Sequence, residues 1–247
     1  MLTQANSSRF THRAAAALRA CGFIPPTGNE ARVIVFDSAP WWPLRHEAAS
    51  MLSSSETSRA ARFRHALDHD TYVIAHAFWR VSLGLALHAD PAQIAFSRSP
   101  EGQPQLPGTG MSTSLSHSGT MVAIAMARGA AVGVDIEGFP ARTNLQDIAG
   151  VLCTAGETTA ISLLDGEART RALLELWTRK EALLKAFGVG LRVAPASIQA
   201  AVGVPVAAPP DAACKPPCRV HPLTMPVGWL GAVALSEDVA GHTFHHV

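Results

Sequence analysis

Two acids lie two residues apart in the segment VGVDIEG: Asp135 and Glu137. The segment is apolar and β-branched, which predicts a strand, and side chains at i and i+2 of a strand point to the same face. Two carboxylates held side by side repel each other, so a proton or a cation is expected between them. Oxygen ligands of this kind suit Mg²⁺, with Mn²⁺ as the alternative. The competing interpretation is a strand that leaves the core for solvent.

A second set of candidates lies on a predicted helix that ends at Gly188. Trp177, Glu181 and Lys185 recur at i, i+4 and i+8, so they share one face of that helix. Alone, Glu181 and Lys185 are a routine surface pair that stabilises a helix by about 0.2–0.5 kcal/mol. Together with the acidic pair they give three acids and one base, which is the inventory for metal-assisted phosphoryl transfer.

The elements that must position these residues alternate between strands and helices in both halves of the chain. The predicted strands are 31–39, 94–97, 122–127 and 131–137, and the predicted helices are 57–87, one beginning at 154, and 167–187. Only the turn RGA separates the third and fourth strands, which predicts a hairpin. Thr154 and Glu157 have the spacing of a capping box. We therefore expect an α+β fold, without a strict sequence repeat.

Composition limits the function classes. The chain has 247 residues, 48% of them hydrophobic, and a formal net charge of +1, so no global field would attract nucleic acid or an anionic membrane. No apolar run approaches the roughly 18 residues that a membrane span needs. The four cysteines are expected to be free thiols in a reducing compartment, the cytoplasm, with a disulfide or metal pair at Cys214 and Cys218 as the less favoured alternative.

The two chemical segments also form a longer paired pattern. GVDIE at 133–137, followed by WTRKEALLKAFGVGL at 177–191, resembles the signature of the surfactin-type (group II) 4′-phosphopantetheinyl transferase family. Further segments resemble the same family in the same order: ARFRHALDHDTYVIAHAFWR, IAFSRSPEGQPQLP, SLSHSG and VLCTAGE. The resemblance covers roughly residues 31 to 200.

The resemblance implies a pseudo-twofold architecture of two lobes, each a small antiparallel sheet packed with a long helix. The N-terminal lobe would be 1–129 and would meet the adenosine and 3′-phosphate of coenzyme A. The C-terminal lobe would be 130–247 and would carry the metal-binding acids and the catalytic helix. The implied reaction transfers 4′-phosphopantetheine from coenzyme A to a serine of an apo acyl, polyketide or peptidyl carrier protein, with Mg²⁺, and releases adenosine 3′,5′-bisphosphate. A monomer is the simplest expectation.

The resemblance also assigns the site residues. Asp135, Glu137 and Glu181 would bind the metal ion, and Glu181 and Lys185 would be catalytic. Glu181 is favoured as general base over a metal-bound water. The residues expected to bind coenzyme A are Arg59, Arg62, Gly102, Gln103, Pro104, Ser116, His117, Lys180 and Lys185. Lys180 is adjacent to Glu181 and faces elsewhere on the helix, so either phosphate contact or solvation is open to it.

The sequence departs from the family pattern at two places. Gln103 stands where a lysine is expected, and Thr71-Tyr72 stands where many relatives carry arginine. These changes leave the 3′-phosphate to Arg62, Arg64 or His117. They are also the support for an alternative function, a non-catalytic module that binds coenzyme A or a carrier protein. A metal-dependent phosphohydrolase is a more remote alternative. The sequence does not select among fatty-acid, polyketide and nonribosomal-peptide carriers.

Overall fold

The computed structural model describes residues 8–141 and 143–247. The helices are α1 Arg9–Ala20, α2 Arg45–Ala49, α3 Ser54–Ala60, α4 Ala66–Leu87, α5 Ala149–Leu152, α6 Ala155–Ser162 and α7 Gly166–Phe187. The strands are β1 Glu30–Asp37, β2 Ser97–Arg98, β3 Pro104–Gln105, β4 Met111–Ser118, β5 Met121–Arg128, β6 Val132–Gly138, β7 Pro205–Val206, β8 Cys218–Pro222, β9 Trp229–Ser236 and β10 Gly241–His246. The predicted α+β class is confirmed.

The strands form two four-stranded sheets, in the orders β10-β1-β5-β4 and β6-β9-β8-β7, and β2 and β3 form a separate small hairpin. Period-two alternation gives each sheet two apolar faces. In β1, Ile34 and Phe36 pack with helix α4, whereas Val33 and Val35 pack against the second sheet. In β9, Ala234 packs with α7. The result is a four-layer stack of α4, first sheet, second sheet and α7.

Helix α7 lies directly on β6, and Gly133 permits the contact. A Cβ at Gly133 would overlap the backbone of Ala182 and Ala186 on α7. The glycine that precedes the acidic pair is therefore needed for close packing of backbone on backbone. This contact brings the acids of β6 next to the helix that carries Glu181 and Lys185.

Three expectations about the elements need correction. The strands β5 and β6 form no hairpin: β5 pairs with β1 and β4, while β6 pairs with β9, because the turn at Gly129 carries the chain from one sheet into the other. The helix expected at 57–87 is two helices, since the capping box of Ser53 and Glu56 starts α3 early and α4 begins only after His65. The first sheet is not wholly antiparallel, because β10 runs parallel to β1.

The path of β10 also changes the expected division at residue 129. Residues 241–246 pair with β1, from Glu30 with Gly241 to Val35 with His246. The first sheet is thus completed by the last strand, and the N-terminal lobe is not one continuous segment. Among the described residues, the helices are all too short or too polar to cross a bilayer. The four cysteines are free thiols, as expected.

Candidate active site

A cavity of about 450 Å³ lies where the two long helices and the β2–β3 hairpin converge. The first sheet and α4 contribute Tyr72, His76, Trp79, Ser116 and His117, and the hairpin contributes Arg98, Gly102, Gln103 and Pro104. Helix α7 and the residues after it contribute Glu181, Leu184, Lys185, Gly188 and Gly190. Residues of both halves of the chain therefore enclose one space.

Asp135 and Lys185 form the central ion pair beside this cavity. Asp135 is 5% exposed, and its Oδ1 accepts hydrogen bonds from Lys185 Nζ at 2.7 Å and from Ser116 Oγ at 2.8 Å. Lys185 Nζ also donates to Val134 O at 3.1 Å. Lys185 therefore reaches across to β6, and the interpretation of Glu181 and Lys185 as an isolated surface pair is wrong.

Glu181 is half-buried between these groups. Burial raises the pKa of its carboxyl, and the nearby charge of Asp135 raises it further, while Lys185 opposes the shift and Glu137 adds to it. Both Glu181 Oε1 and Asp135 Oδ2 are buried oxygens without a hydrogen-bond partner in the described part of the chain. Burying two carboxylate oxygens without partners costs free energy, and the two carboxylates also repel each other. A proton or a cation between them would offset that cost.

Glu137, the third acid, is held by a serine as Asp135 is, but it is less buried than Asp135. Its Oε2 accepts a hydrogen bond from Ser118 Oγ at 2.9 Å, and its side chain is only partly buried. Within residues 8–141 and 143–247, no three His, Cys, Asp or Glu side chains are gathered closely enough to make a complete metal cluster. The structure thus brings Asp135, Glu181 and Lys185 together, and Glu137 stands beside them.

This donor set fits a hard divalent cation. Mg²⁺ uses one or two protein carboxylates and completes its shell with water and substrate phosphates. The open oxygens of Asp135 and Glu181 supply that number of ligands, and Glu137 lies on the same strand two residues from Asp135. Carboxylate oxygens without sulfur or imidazole favour Mg²⁺ or Mn²⁺ over softer metals.

The opposite wall of the cavity is aromatic and basic. Tyr72 stacks on His76 with ring centroids 4.0 Å apart, and His117 meets the Tyr72 ring edge-on at 6.4 Å. Burial lowers the pKa of His117 to about 4, and the charges of His76 and Lys185 add to the shift. A neutral His117 still donates one N–H to an anion. Arg59 and Arg98 are exposed cations at the cavity rim.

The β2–β3 hairpin is fastened to the end of α7 by Gln103. Its Nε2 donates to Lys185 O at 2.7 Å, and a Cβ at Gly188 would collide with its Oε1. Gly188 has φ +73°, the left-handed conformation that ends the helix. Gln103 therefore lines the cavity, as expected, but its amide nitrogen is committed to the backbone of the other lobe.

Two residues expected to bind coenzyme A, Lys180 and Arg62, do not line the cavity. Lys180 is fully buried, and its Nζ donates to Leu152 O, Glu157 Oε2 and Pro195 O at 2.7, 2.6 and 3.0 Å. All three of its donors are used inside the core, so it neither meets a phosphate nor lies in solvent. Arg62 is exposed beyond the end of α3 and is not among the residues that line the cavity. Trp177 packs on the core of the second lobe.

Two family models match consecutive parts of the chain. The model described as the N-terminal part of 4′-phosphopantetheinyl transferase matches residues 39–129, and the model of the 4′-phosphopantetheinyl transferase superfamily matches residues 131–210. The chain belongs to the 4′-phosphopantetheinyl transferase superfamily.

Individual relatives in this superfamily are moderately similar. The 4′-phosphopantetheinyl transferase HetI of Nostoc sp. is 29% identical over 149 residues, 59% of this chain and 63% of that protein. The phosphopantetheinyl transferase of Thraustochytrium sp. is 29% identical over 183 residues, 68% of this chain and 63% of that protein. The 4′-phosphopantetheinyl transferase of Bacillus subtilis is 28% identical over 141 residues, 57% and 62% respectively. The chain thus spans less than two thirds of the length of these relatives.

The crystal structure of Thermotoga maritima holo-acyl-carrier-protein synthase aligns with a TM-score of 0.31 and 15% identity, over 42% of this chain and 61% of that one. That similarity is too low to support an argument about function. The assignment of this superfamily member therefore depends on its sequence matches and on its own cavity.

Sequence reasoning did not assign Tyr72, His76, Trp79 and Arg98 to the site of this 4′-phosphopantetheinyl transferase superfamily member. Tyr72, His76 and Trp79 recur at i, i+4 and i+7 of the predicted helix, which is the spacing that would have placed them on one face. Such a stripe is usually core, and only the tertiary structure shows that it borders a cavity. Arg98 carries no periodic signal, since it lies on a two-residue strand.

Proposed function

We propose that the chain is a surfactin-type (group II) 4′-phosphopantetheinyl transferase. It transfers 4′-phosphopantetheine from coenzyme A to a serine of an apo carrier protein and releases adenosine 3′,5′-bisphosphate. One observation carries the proposal: Glu181 and Lys185 of one lobe and Arg59 and Arg98 of the other line a single cavity. Coenzyme A carries a diphosphate and a separate 3′-phosphate, so it needs charged groups on two sides.

Lys185 holds the diphosphate. An ammonium group has three N–H donors, and those of Lys185 are directed in part to Val134 O and Asp135 Oδ1. The remaining donor is available to a phosphate oxygen at the cavity. Its carboxylate partner fixes the ammonium in place before the substrate enters, which lowers the cost of ordering it on binding.

Asp135 and Glu181 would bind Mg²⁺, or Mn²⁺, with Glu137 as the third carboxylate. When bound, the ion neutralises the diphosphate and stabilises the charge that develops on the transferred phosphoryl group. Coenzyme A is the co-substrate, and its phosphate oxygens would complete the coordination.

Glu181 accepts the proton of the attacking serine. The hydroxyl oxygen of the carrier bonds to the phosphorus that bears pantetheine, the diphosphate P–O bond breaks, and the bisphosphate leaves. Without a cation, burial and the neighbouring Asp135 raise the pKa of Glu181, and a bound divalent cation would lower it and keep the carboxylate ionised. The carrier supplies the nucleophile, so the protein needs no reactive serine of its own.

Arg59, Arg98 and His117 hold the 3′-phosphate and the adenosine side. Arg98 joins His117 as a candidate for the 3′-phosphate, for which the sequence had left Arg62, Arg64 and His117 open. The Nη1 of Arg98 donates to Gly102 O at 2.8 Å, which fixes it over the hairpin. Gly102 and Pro104 form the loop wall. Ser116 is engaged with Asp135, so it acts on the acid and not directly on the coenzyme.

The partners are coenzyme A and an apo acyl, polyketide or peptidyl carrier protein, and the protein acts as a monomer. Nucleic acid and membrane are not partners in this proposal. The four free cysteines support a reducing compartment, the cytoplasm.

A mass measurement tests the proposal. The protein is incubated with coenzyme A, Mg²⁺ and one apo carrier of each kind, and the intact mass of each carrier is recorded, with Glu181→Gln as the matched control. A gain of one phosphopantetheine group, absent with the control, supports transfer. Coenzyme A binding with unchanged carrier masses would instead indicate a non-catalytic binding module. Coenzyme A breakdown without any carrier would indicate a phosphohydrolase.

A further inference from the structure

The two sheets are joined along β4 and β6 by a row of serine side chains. Each strand lies at an edge of its own sheet. The hydroxyls of Ser114, Ser116 and Ser118 accept the backbone N–H groups of residues 134, 136 and 138, at 3.1, 3.4 and 3.3 Å. We call these three residues the serine row. Both strands advance by two residues at each step, so the row follows one side of β4.

The serine row satisfies the open edge of β6. An edge strand leaves alternate N–H groups without a backbone partner, and a buried unpaired N–H is costly. Val134 and Ile136 are 0% and 1% exposed, so water is no substitute there. The hydroxyls therefore replace the missing strand neighbour, and they couple the first sheet to the strand that carries the acids.

Two members of the row make a second hydrogen bond to a carboxylate. Ser116 Oγ donates to Asp135 Oδ1 at 2.8 Å, and Ser118 Oγ donates to Glu137 Oε2 at 2.9 Å. A hydroxyl has a single proton. Because its oxygen already accepts an N–H from β6, the direction of that proton is fixed toward the acid. Ser114 lies opposite Gly133 and Val134, where the chain has no acid, and among residues 8–141 and 143–247 its hydroxyl is bonded to the backbone N–H of Val134 and to no carboxylate.

These hydrogen bonds fix the orientation of the carboxylate groups of Asp135 and Glu137. Ser116 and Lys185 both bind Oδ1 of Asp135, and the other oxygen, Oδ2, is the one left without a partner. The serine at the next step holds one oxygen of Glu137 in the same manner. Groups that orient the ligands of a metal ion typically change its affinity by about 10–100-fold.

We infer that Ser116 and Ser118 are positioning residues that orient Asp135 and Glu137 toward the metal ion. Ser114 serves only to join the sheets. The inference rests on the proposed function for its effect on transfer, but its hydrogen bonds and its effect on cation binding do not depend on transfer.

The test is a Mn²⁺ titration of the full chain without coenzyme A, followed by electron paramagnetic resonance, with melting temperature measured in parallel. The variants are Ser114→Ala, Ser116→Ala, Ser118→Ala and Ser118→Thr. Ser116→Ala and Ser118→Ala should weaken Mn²⁺ binding by about 10–100-fold. Ser118→Thr keeps the hydroxyl and should restore binding to near the wild-type value. Ser114→Ala, the matched control, should lower the melting temperature with Mn²⁺ affinity changed by less than about threefold.

Three results would overturn the inference: no Mn²⁺ binding by the wild-type chain, equal affinity in all three alanine variants, or losses of affinity that simply follow the losses of melting temperature. Failure of the proposed function is distinct from these. It would appear as carrier mass that stays unchanged while Mn²⁺ binding follows the expected order.

Discussion

The two lobes stabilise their long helices in the same way but use the cavity sides of those helices differently. In the first lobe, Arg80 of α4 is 1% exposed and pairs with Glu56 at 2.7 Å. In the second, Lys180 of α7 is fully buried and pairs with Glu157 at 2.6 Å. Both glutamates belong to capping boxes, with Ser53 and Thr154 respectively. One carboxylate thus caps a short helix and neutralises a cation of the long one.

The surrounding carbonyls repeat as well. Arg80 Nη1 donates to Pro91 O and Ile94 O, and Lys180 Nζ donates to Leu152 O and Pro195 O. Arg80 Nη1 also lies 3.5 Å from Ala92 O, so Arg80 binds one carboxylate and three backbone carbonyls, whereas Lys180 binds one carboxylate and two. In both lobes these partners offset the cost of burying the charge. The same kind of arrangement therefore occurs in both lobes although the buried cation is an arginine in one and a lysine in the other.

The two long helices differ in where their cavity residues lie relative to the buried cation. On α4 the cavity residues precede the buried cation: Tyr72, His76 and Trp79. On α7 they follow it: Glu181, Leu184 and Lys185. The first lobe also extends its charge network to His76, whose Nδ1 is 2.9 Å from Glu56. A repeated scaffold has thus been used for an aromatic and basic wall on one side and for acids on the other.

The largest expected effect comes from breaking the shared scaffold. Glu157→Ala leaves Lys180 buried without its carboxylate, and Glu56→Ala does the same to Arg80. Each should lower the free energy of unfolding by about 3–5 kcal/mol, measured by urea denaturation. The double variant Glu157→Leu/Lys180→Met is the control, and it should recover most of the loss because no unpaired charge remains. A loss below about 1 kcal/mol in one lobe only would show that the two arrangements are not equivalent.

The second-largest effect concerns the different chemical roles of the two cavity walls. Glu181→Gln should reduce the rate of phosphopantetheine transfer by about 10²–10³-fold, the usual cost of a lost electrostatic or proton-accepting group. The melting temperature should not fall, since the substitution removes a half-buried charge that lies near Asp135. His117→Ala on the opposite wall should act mainly on KM for coenzyme A. Equal effects of the two variants on kcat would contradict this division of roles.

Measuring stability as a function of pH tests the role of His76, the histidine that contacts Glu56 in the first lobe. Burial opposes ionisation of Glu56, yet hydrogen bonds from His76 and Arg80 outweigh it and lower its pKa to about 2. Burial lowers the pKa of His76 below 6.5, against the effect of Glu56. Below pH 6.5 the unfolded chain binds a proton at His76 that the folded chain does not, so stability falls; below 4.5 Glu56 adds a loss of the same sign.

The free energy of unfolding should therefore decline from about pH 6.5 downward. In His76→Gln, which keeps a donor toward Glu56, the decline between about pH 6.5 and 5 should become shallower, while the decline at lower pH remains. If the free energy of unfolding of this variant declines between about pH 6.5 and 5 as steeply as that of the wild type, His76 is not the cause of the decline in that range.

The smallest expected effect concerns the hairpin that connects the lobes. Gln103→Glu removes the donor to Lys185 O and places a negative charge at the C-terminal end of α7, where the helix dipole is also negative. We expect a fall of about tenfold in kcat/KM for coenzyme A. Gln105→Glu is the control, because it introduces the same negative charge at an exposed position of the same hairpin. Identical values for both variants would remove Gln103 from the positioning role.

The sequence predicted the parts of the molecule that depend on local pattern. The long helix ending at Gly188, the capping box of Thr154 and Glu157, and the strands around Ile34 and Asp135 all follow from periodicity and capping chemistry. The bonds of Lys180 and Gln103 were not predictable in this way, because their partners lie 15 to 82 residues away and are backbone carbonyls as well as side chains. Backbone carbonyls are present at every position, so no residue type signals them.

The strand β10 has a consequence for the order in which the protein can form. Its partner β1 is synthesised early, but the first sheet stays one strand short until residues 241–246 leave the ribosome. Until then the apolar edge of β1 is exposed, and an exposed edge is a site for pairing with other chains. The first sheet therefore needs two strands that are far apart in the sequence to meet, whereas the second sheet is built from β6, β9, β8 and β7 without β10.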